Sequence, residues 1–71
     1  MCIAIPGKVI ELEKYNAFVD FGAIKKWVNV NLIDDLSIND YILVHAGYGV
    51  IKIDEDQALE TLSVYNMLIN N

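Results

Sequence analysis

The feature that most constrains this chain is a rhythm of short runs in which apolar and polar residues alternate, broken by turn formers every ten residues or so. Lys26-Trp27-Val28-Asn29-Val30-Asn31-Leu32 keeps a period of two throughout, with aromatic and β-branched residues suited to a pleated surface. Lys8-Val9-Ile10-Glu11-Leu12-Glu13 alternates over its second half, and Tyr15-Asn16 after it reads as a turn. Ala17-Phe18-Val19-Asp20-Phe21 stops at Gly22. Tyr41-Ile42-Leu43-Val44-His45-Ala46 and Tyr48-Gly49-Val50-Ile51-Lys52-Ile53 flank Gly47, which supplies the positive φ that a tight reversal or bulge demands. The turn-rich cluster Asp34-Asp35-Leu36-Ser37-Ile38-Asn39-Asp40 is expected to be the longest loop, with room for one helical turn.

The period changes after Ile53. Asp54 caps a helix whose third residue, Gln57, returns the capping-box bond, while Glu55 and Asp56 suit the positive end of its dipole. An apolar stripe through Ala58, Leu59, Leu62, Tyr65 and Ile69 needs a surface to lie on. Five short strands and one amphipathic helix predict a mainly β protein, a small five-stranded barrel of the oligonucleotide/oligosaccharide-binding (OB) type, partly open, with the helix plugging or flanking one end. An SH3-like barrel is the alternative. The expected organisation is a single domain over 1–71, with an N-terminal arm at 1–6, a barrel reaching to 53 and a C-terminal helix over 54–70.

With 71 residues the chain has room for one small core and no second domain. A lone cysteine allows no disulfide within the chain, which fits a reducing cytoplasm. Ten carboxylates against five lysines, and no arginine, give a net charge of −5. Phosphate neutralisation needs cations, and base recognition leans on arginine, so nucleic acid is excluded as the principal partner. The same balance disfavours anionic lipid, and no apolar run approaches the ~20 residues of a membrane span. Pro6-Gly7-Lys8 interrupts the apolar start too early for a secretory leader, so the N-terminus is expected to belong to the working protein.

Few residues carry chemistry. Gly47-Tyr48-Gly49 lacks the rest of a phosphate-binding loop, Asp54-Glu55-Asp56 lacks the pattern of a calcium loop, and the four Cys/His ligands of a structural zinc site are missing. Trp27, Phe18, Phe21 and the four tyrosines are expected in the core or at the barrel edge, not as a base-stacking platform. Cys2 and His45 form the one nucleophile–base combination. By position Cys2 is either an incidental surface thiol or a soft ligand on a mobile terminus, and trimming of Met1 would place a free amine beside it. One thiolate with one imidazole is too few to hold a metal, so any iron or copper would be shared with a partner. His45 shares the strand face of Leu43, opposite Ile42 and Val44, and is either a solvated strand histidine or a proton acceptor beside Cys2. Pro6 pushes Ile5 toward extended geometry and is expected to mark where the first strand starts. The preceding residues then form an apolar arm able to add to a partner's sheet edge.

The opening Met1-Cys2-Ile3-Ala4-Ile5-Pro6-Gly7-Lys8-Val9 and the run Asp40-Tyr41-Ile42-Leu43-Val44-His45-Ala46-Gly47-Tyr48 closely resemble the HypC/HupF family of [NiFe]-hydrogenase assembly chaperones. Asp54-Glu55-Asp56-Gln57-Ala58 extends the resemblance to the whole chain. It implies an OB-like barrel with a C-terminal helix, acting in the cytoplasm by binding proteins and not as an enzyme. The implied partners are the iron–sulfur scaffold HypD, where the Fe(CN)2CO group is assembled, and the hydrogenase large-subunit precursor. Cys2 matches the family's essential N-terminal cysteine, proposed to ligate that iron transiently or to contact the precursor's cysteine, and His45 matches the motif histidine beside it. Ile3, Ile5, Pro6, Gly7 and Gly47 support these two as parts of the arm and motif. No cofactor is implied in the isolated chain. Asn39 stands where many members have glycine, and Lys25 and Lys26 occupy a segment where arginine is common. The readings left by the residues alone are a small thiol-dependent enzyme using Cys2 and His45, or a general OB-type binding module.

Overall fold

The computed structural model describes residues 4–56. Five strands, β1 (Ile5–Glu13), β2 (Asn16–Asp20), β3 (Lys25–Asn29), β4 (Tyr41–His45) and β5 (Tyr48–Ile53), form a closed barrel in the order β1-β2-β3-β5-β4. The mainly β, five-stranded barrel expected from the alternation is therefore what the chain forms. The expected helix, 54–70, lies outside the described residues beyond its first turn; Glu55 and Asp56 have helical backbone.

β1 is shared between two neighbours. Its first half pairs antiparallel with β4, from Ile5 opposite Val44 to Lys8 opposite Tyr41, and its second half pairs antiparallel with β2, from Lys8 opposite Asp20 to Glu13 opposite Asn16. A register shift between Val9 and Glu11 bends the strand so that it serves both. The β1–β4 ladder continues into the loop, where the Val9 amide donates to the Asp40 carbonyl (2.8 Å) and the Asn39 amide to the Val9 carbonyl (2.7 Å). Asn39 adopts φ 80°, a left-handed geometry that glycine takes freely and asparagine tolerates better than most residues.

The strand was expected to start after Pro6, but Ile5 and Pro6 belong to β1. The ladder to β2 begins only at Lys8, so Pro6 lies where β1 has a partner on one side, and a missing N–H there breaks no second ladder. The arm is correspondingly shorter than residues 1–6. β3 also ends earlier than its alternation suggested. The Asn29 side chain accepts the Asn31 amide (2.9 Å), and the Val30 amide turns to the Tyr15 carbonyl (2.7 Å), so local bonds replace the ladder.

The wall is thinnest between β3 and β5, which run parallel and meet at a single pair, Asn29 with Tyr48, reinforced by the Asn29 amide on the Gly47 carbonyl (3.0 Å). The expected partial opening is thus closed by one contact. Inside, the alternating residues Val9, Ala17, Val19, Val28, Val30, Ile42 and Val44 make the buried core, with Phe21, Ile33 and Leu36 packed against it. Burying one such aliphatic side chain contributes roughly 1.5–3 kcal/mol. Among the described residues the buried core is aliphatic; of the aromatic residues expected in the core or at the barrel edge, Phe21 packs against the core, while Trp27 and Tyr48 stand half exposed.

Candidate functional site

The candidate site grows from the hairpin that joins β4 to β5. His45 and Tyr48 are paired across it, and the two residues between, Ala46 and Gly47, both have positive φ (51° and 84°). That is the geometry of a type I′ turn, whose twist matches that of the strands it connects. Glycine adopts it freely, and alanine does so at a cost of about 1–2 kcal/mol. Ile42 and Val44 point inward, so His45 two-residue alternation puts it on the outer face, partly buried, beside Tyr48.

Strand pairing brings the N-terminal segment to this hairpin. Ile5 is opposite Val44, the last pair of the β1–β4 ladder, so β1 begins beside the end of β4 at His45. Cys2 and Ile3 lie outside the described residues. Two residues of chain span at most about 7 Å, so covalent geometry tethers Cys2 within that reach of Ala4. Of the residues singled out in sequence, Ile5, Pro6 and Gly7 are in β1 against β4, His45 ends β4 and Gly47 completes the turn. The first residues of β1 and the histidine motif, about forty residues apart in the chain, meet at one edge of the barrel because β1 and β4 are antiparallel neighbours.

Gly7 holds this convergence. A Cβ there would run into the Val19 side chain and stand 2.9 Å from Phe21 Cε1, so a larger residue would push β1 off the core just where it carries the arm. Among the described residues no three of histidine, cysteine, aspartate and glutamate gather as a metal site.

The sequence reading missed a second feature. Phe18 and Trp27 are cross-strand partners on the outer face of β2 and β3, their rings 5.1 Å apart at 38°. The signal was available: Trp27 has the parity of Lys25 and Asn29, opposite to Val28, which is buried.

The model of the HupF/HypC family matches residues 1–65. The chain is 40% identical over 65 residues to "Hydrogenase maturation factor HypC" of Azotobacter chroococcum mcd 1, covering 90% of this chain and 77% of the relative. Identity to the HypC of Rhizobium leguminosarum bv. viciae is 42% over 65 residues (90% and 87%), and to "Hydrogenase maturation factor HybG" of Escherichia coli K12 it is 33% over 75 residues (96% and 92%). On the match of the family model over most of its length and the identity to these relatives, the chain belongs to the HupF/HypC family.

Proposed function

We propose that this chain is a cytoplasmic hydrogenase-maturation chaperone that binds a HypD-type iron–sulfur scaffold and the [NiFe]-hydrogenase large-subunit precursor. It assists assembly and delivery of the Fe(CN)2CO group, which is its cargo and not a resident cofactor. The observation that supports the reading is the pairing of Ile5 with Val44, which brings the start of β1 beside the end of β4 at His45, in a chain whose relatives are named hydrogenase maturation factors. Cys2 precedes Ile5 by three residues in the chain.

A thiolate is a soft donor suited to low-spin iron already bearing cyanide and carbon monoxide. A single thiolate leaves the remaining coordination to a partner, which makes cargo binding conditional on the complex and suits transfer better than storage. On this reading His45, paired with Tyr48 at the end of β4, hydrogen-bonds or takes the proton of a group brought there. The chain on this reading works by binding and carrying, and turns over no substrate.

The test is anaerobic co-purification of the wild type and Cys2→Ala from cells expressing the hydrogenase-assembly proteins, with iron analysis and infrared spectra in the cyanide and carbonyl stretching region. Iron and both sets of bands are expected with the wild type and not with Cys2→Ala. Equal iron and bands in the two samples would remove Cys2 from the mechanism, and a wild type with no partner and no iron would leave only a plain binding module.

A further inference from the structure

We propose that Tyr48 is a positioning residue for His45: its ring, directly across the β4–β5 hairpin, holds the imidazole in one orientation for the group brought to this edge of the barrel. The inference rests on the chaperone reading for its purpose and adds a residue to the same site.

Register is the first reason, and two departures from a regular ladder build it. From Tyr41 opposite Ile53 to Leu43 opposite Ile51, β4 and β5 pair without interruption. Continued unchanged, that register would set His45 opposite Gly49, which has no side chain to offer. A shift after Leu43 leaves Val50 as an extra residue on β5, and beyond it Val44 faces Gly49 and His45 faces Tyr48. Bulges of this kind re-aim side chains and gather beside functional sites. The second departure is the turn. Ala46 holds φ 51°, a strained value for a residue with a side chain, and with Gly47 it closes the hairpin in two residues, so the pairing of His45 with Tyr48 has no slack.

The shared face is the second reason. Val44 is buried, and a Cβ at Gly49 would stand 3.1 Å from the side chains of Ile33, Ile42 and Val30, so this pair faces the barrel interior. His45 and Tyr48 lie one position away on their strands and share the outer face. Opposed residues on one face have Cβ atoms about 4.5–5.5 Å apart, within reach of an aromatic ring.

The third reason is what else could hold the imidazole. Among the described residues no side-chain hydrogen bond or ion pair reaches His45, so its orientation rests on packing. Tyr48 suits that task because its own backbone is fixed on both sides. It pairs with β4 on one, and on the other with Asn29, whose amide donates to the Gly47 carbonyl at 3.0 Å. Its ring is half exposed and outside the core, so removing it spares the fold.

His45 is the only histidine in the chain, so isotope-labelled histidine reports on one side chain. Vicinal couplings about its χ1 are measured in the full chain for the wild type, Tyr48→Phe, Tyr48→Ala and Tyr48→Thr, the last keeping a β-branched residue in the strand if alanine frays the hairpin. The wild type and Tyr48→Phe are expected to show one rotamer, and the alanine and threonine variants an average of several. Affinity for the purified HypD-type scaffold is measured in parallel. Tyr48→Phe should bind as the wild type does, whereas Tyr48→Ala should bind about fivefold more weakly when His45 is present and lose nothing further in a His45→Ala background. Averaged couplings in the wild type, or one retained rotamer in the alanine and threonine variants, would overturn the positioning. Equal losses in Tyr48→Phe and Tyr48→Ala would overturn it in favour of a bond made by the hydroxyl, and additive losses in favour of direct contact between the ring and the partner. The couplings are read on the chain alone, so a wild type that fails to bind the scaffold would overturn the chaperone reading and leave the positioning standing.

Discussion

Ile5 stands directly across the β1–β4 ladder from Val44, and that pairing is what joins the two ends of the family motif. Its consequence is testable without any partner. If the register runs one step further, Ala4 and His45 are cross-strand neighbours with Cα atoms about 4.5–5.5 Å apart, inside the range a disulfide requires. In a Cys2→Ser background, Ala4→Cys with His45→Cys is expected to form an intramolecular bridge under mild oxidation, read by mass spectrometry before and after reduction. Free thiols in the oxidised monomer would mean that β1 leaves the ladder at Ile5.

Gly7→Ala is expected to be among the most damaging single-methyl additions in the barrel. The new carbon meets Val19 of β2, which has no exposure, and Phe21 just past the end of that strand, so relief requires moving β1 or β2. Overpacking of this kind costs about 1–3 kcal/mol. For a domain of this size that lowers the melting temperature by roughly 4–8 °C per kcal/mol, measurable by circular dichroism. A variant as stable as the wild type would show that β1 is free to shift outward at Gly7.

How much of this was legible in the sequence depended on whether the determinants were local. β4 and β5 could be read directly, because Tyr41–His45 and Tyr48–Ile53 alternate cleanly and Gly47 marks the reversal. β1 was read too short, since Pro6 looks like a strand boundary until the missing second neighbour of that segment is known. β3 was read too long, because Val30 keeps the alternation and the burial of a strand residue while its amide bonds Tyr15, a contact with no sequence signature. The chemical residues were legible as types and through the family motif. That Ile5 and Val44 face each other, one residue short of His45, follows from strand order, which a single sequence does not encode locally. For Trp27 the expectation left core and barrel edge both open, and its parity, opposite to that of buried Val28, decides for the outside.

The turn at Ala46-Gly47 makes two opposite predictions at adjacent positions. Ala46 sits at φ 51° and Gly47 at φ 84°, with open space around the position a Gly47 Cβ would take. Any loss in Gly47→Ala is therefore conformational, about 1–2 kcal/mol. Ala46→Asn places a residue that tolerates left-handed backbone in the favoured Asn-Gly pair and is expected to gain about 0.5–1 kcal/mol. Urea denaturation midpoints moving in opposite directions would bear this out; destabilisation by both changes would mean that the Ala46 methyl makes a contact worth more than the strain it carries.

Lys52 fastens the long β3–β4 loop to the barrel. Its Nζ donates to the Asp35 carbonyl at 3.0 Å and lies 3.4 Å from Asp40 Oδ2, the same oxygen that accepts the Ser37 amide at 2.8 Å. Asp35 holds a left-handed φ of 55°, so the ammonium caps the carbonyl of a strained residue as well as pairing a carboxylate. Lys52→Met keeps the aliphatic stem and removes both contacts. Because the pair is substantially exposed, the global cost is expected to stay below about 1 kcal/mol and to shrink in high salt. The local effect should be larger: the Ser37 and Asp40 amides, bonded to Asp40 Oδ2 and the Ser37 carbonyl, lose the anchor that orders them and should exchange with solvent faster, whereas the Val19 and Ile42 amides, on strands with fully buried side chains, should not. Unchanged exchange at Ser37 and Asp40 would show that the turn orders itself and that Lys52 merely rests on it.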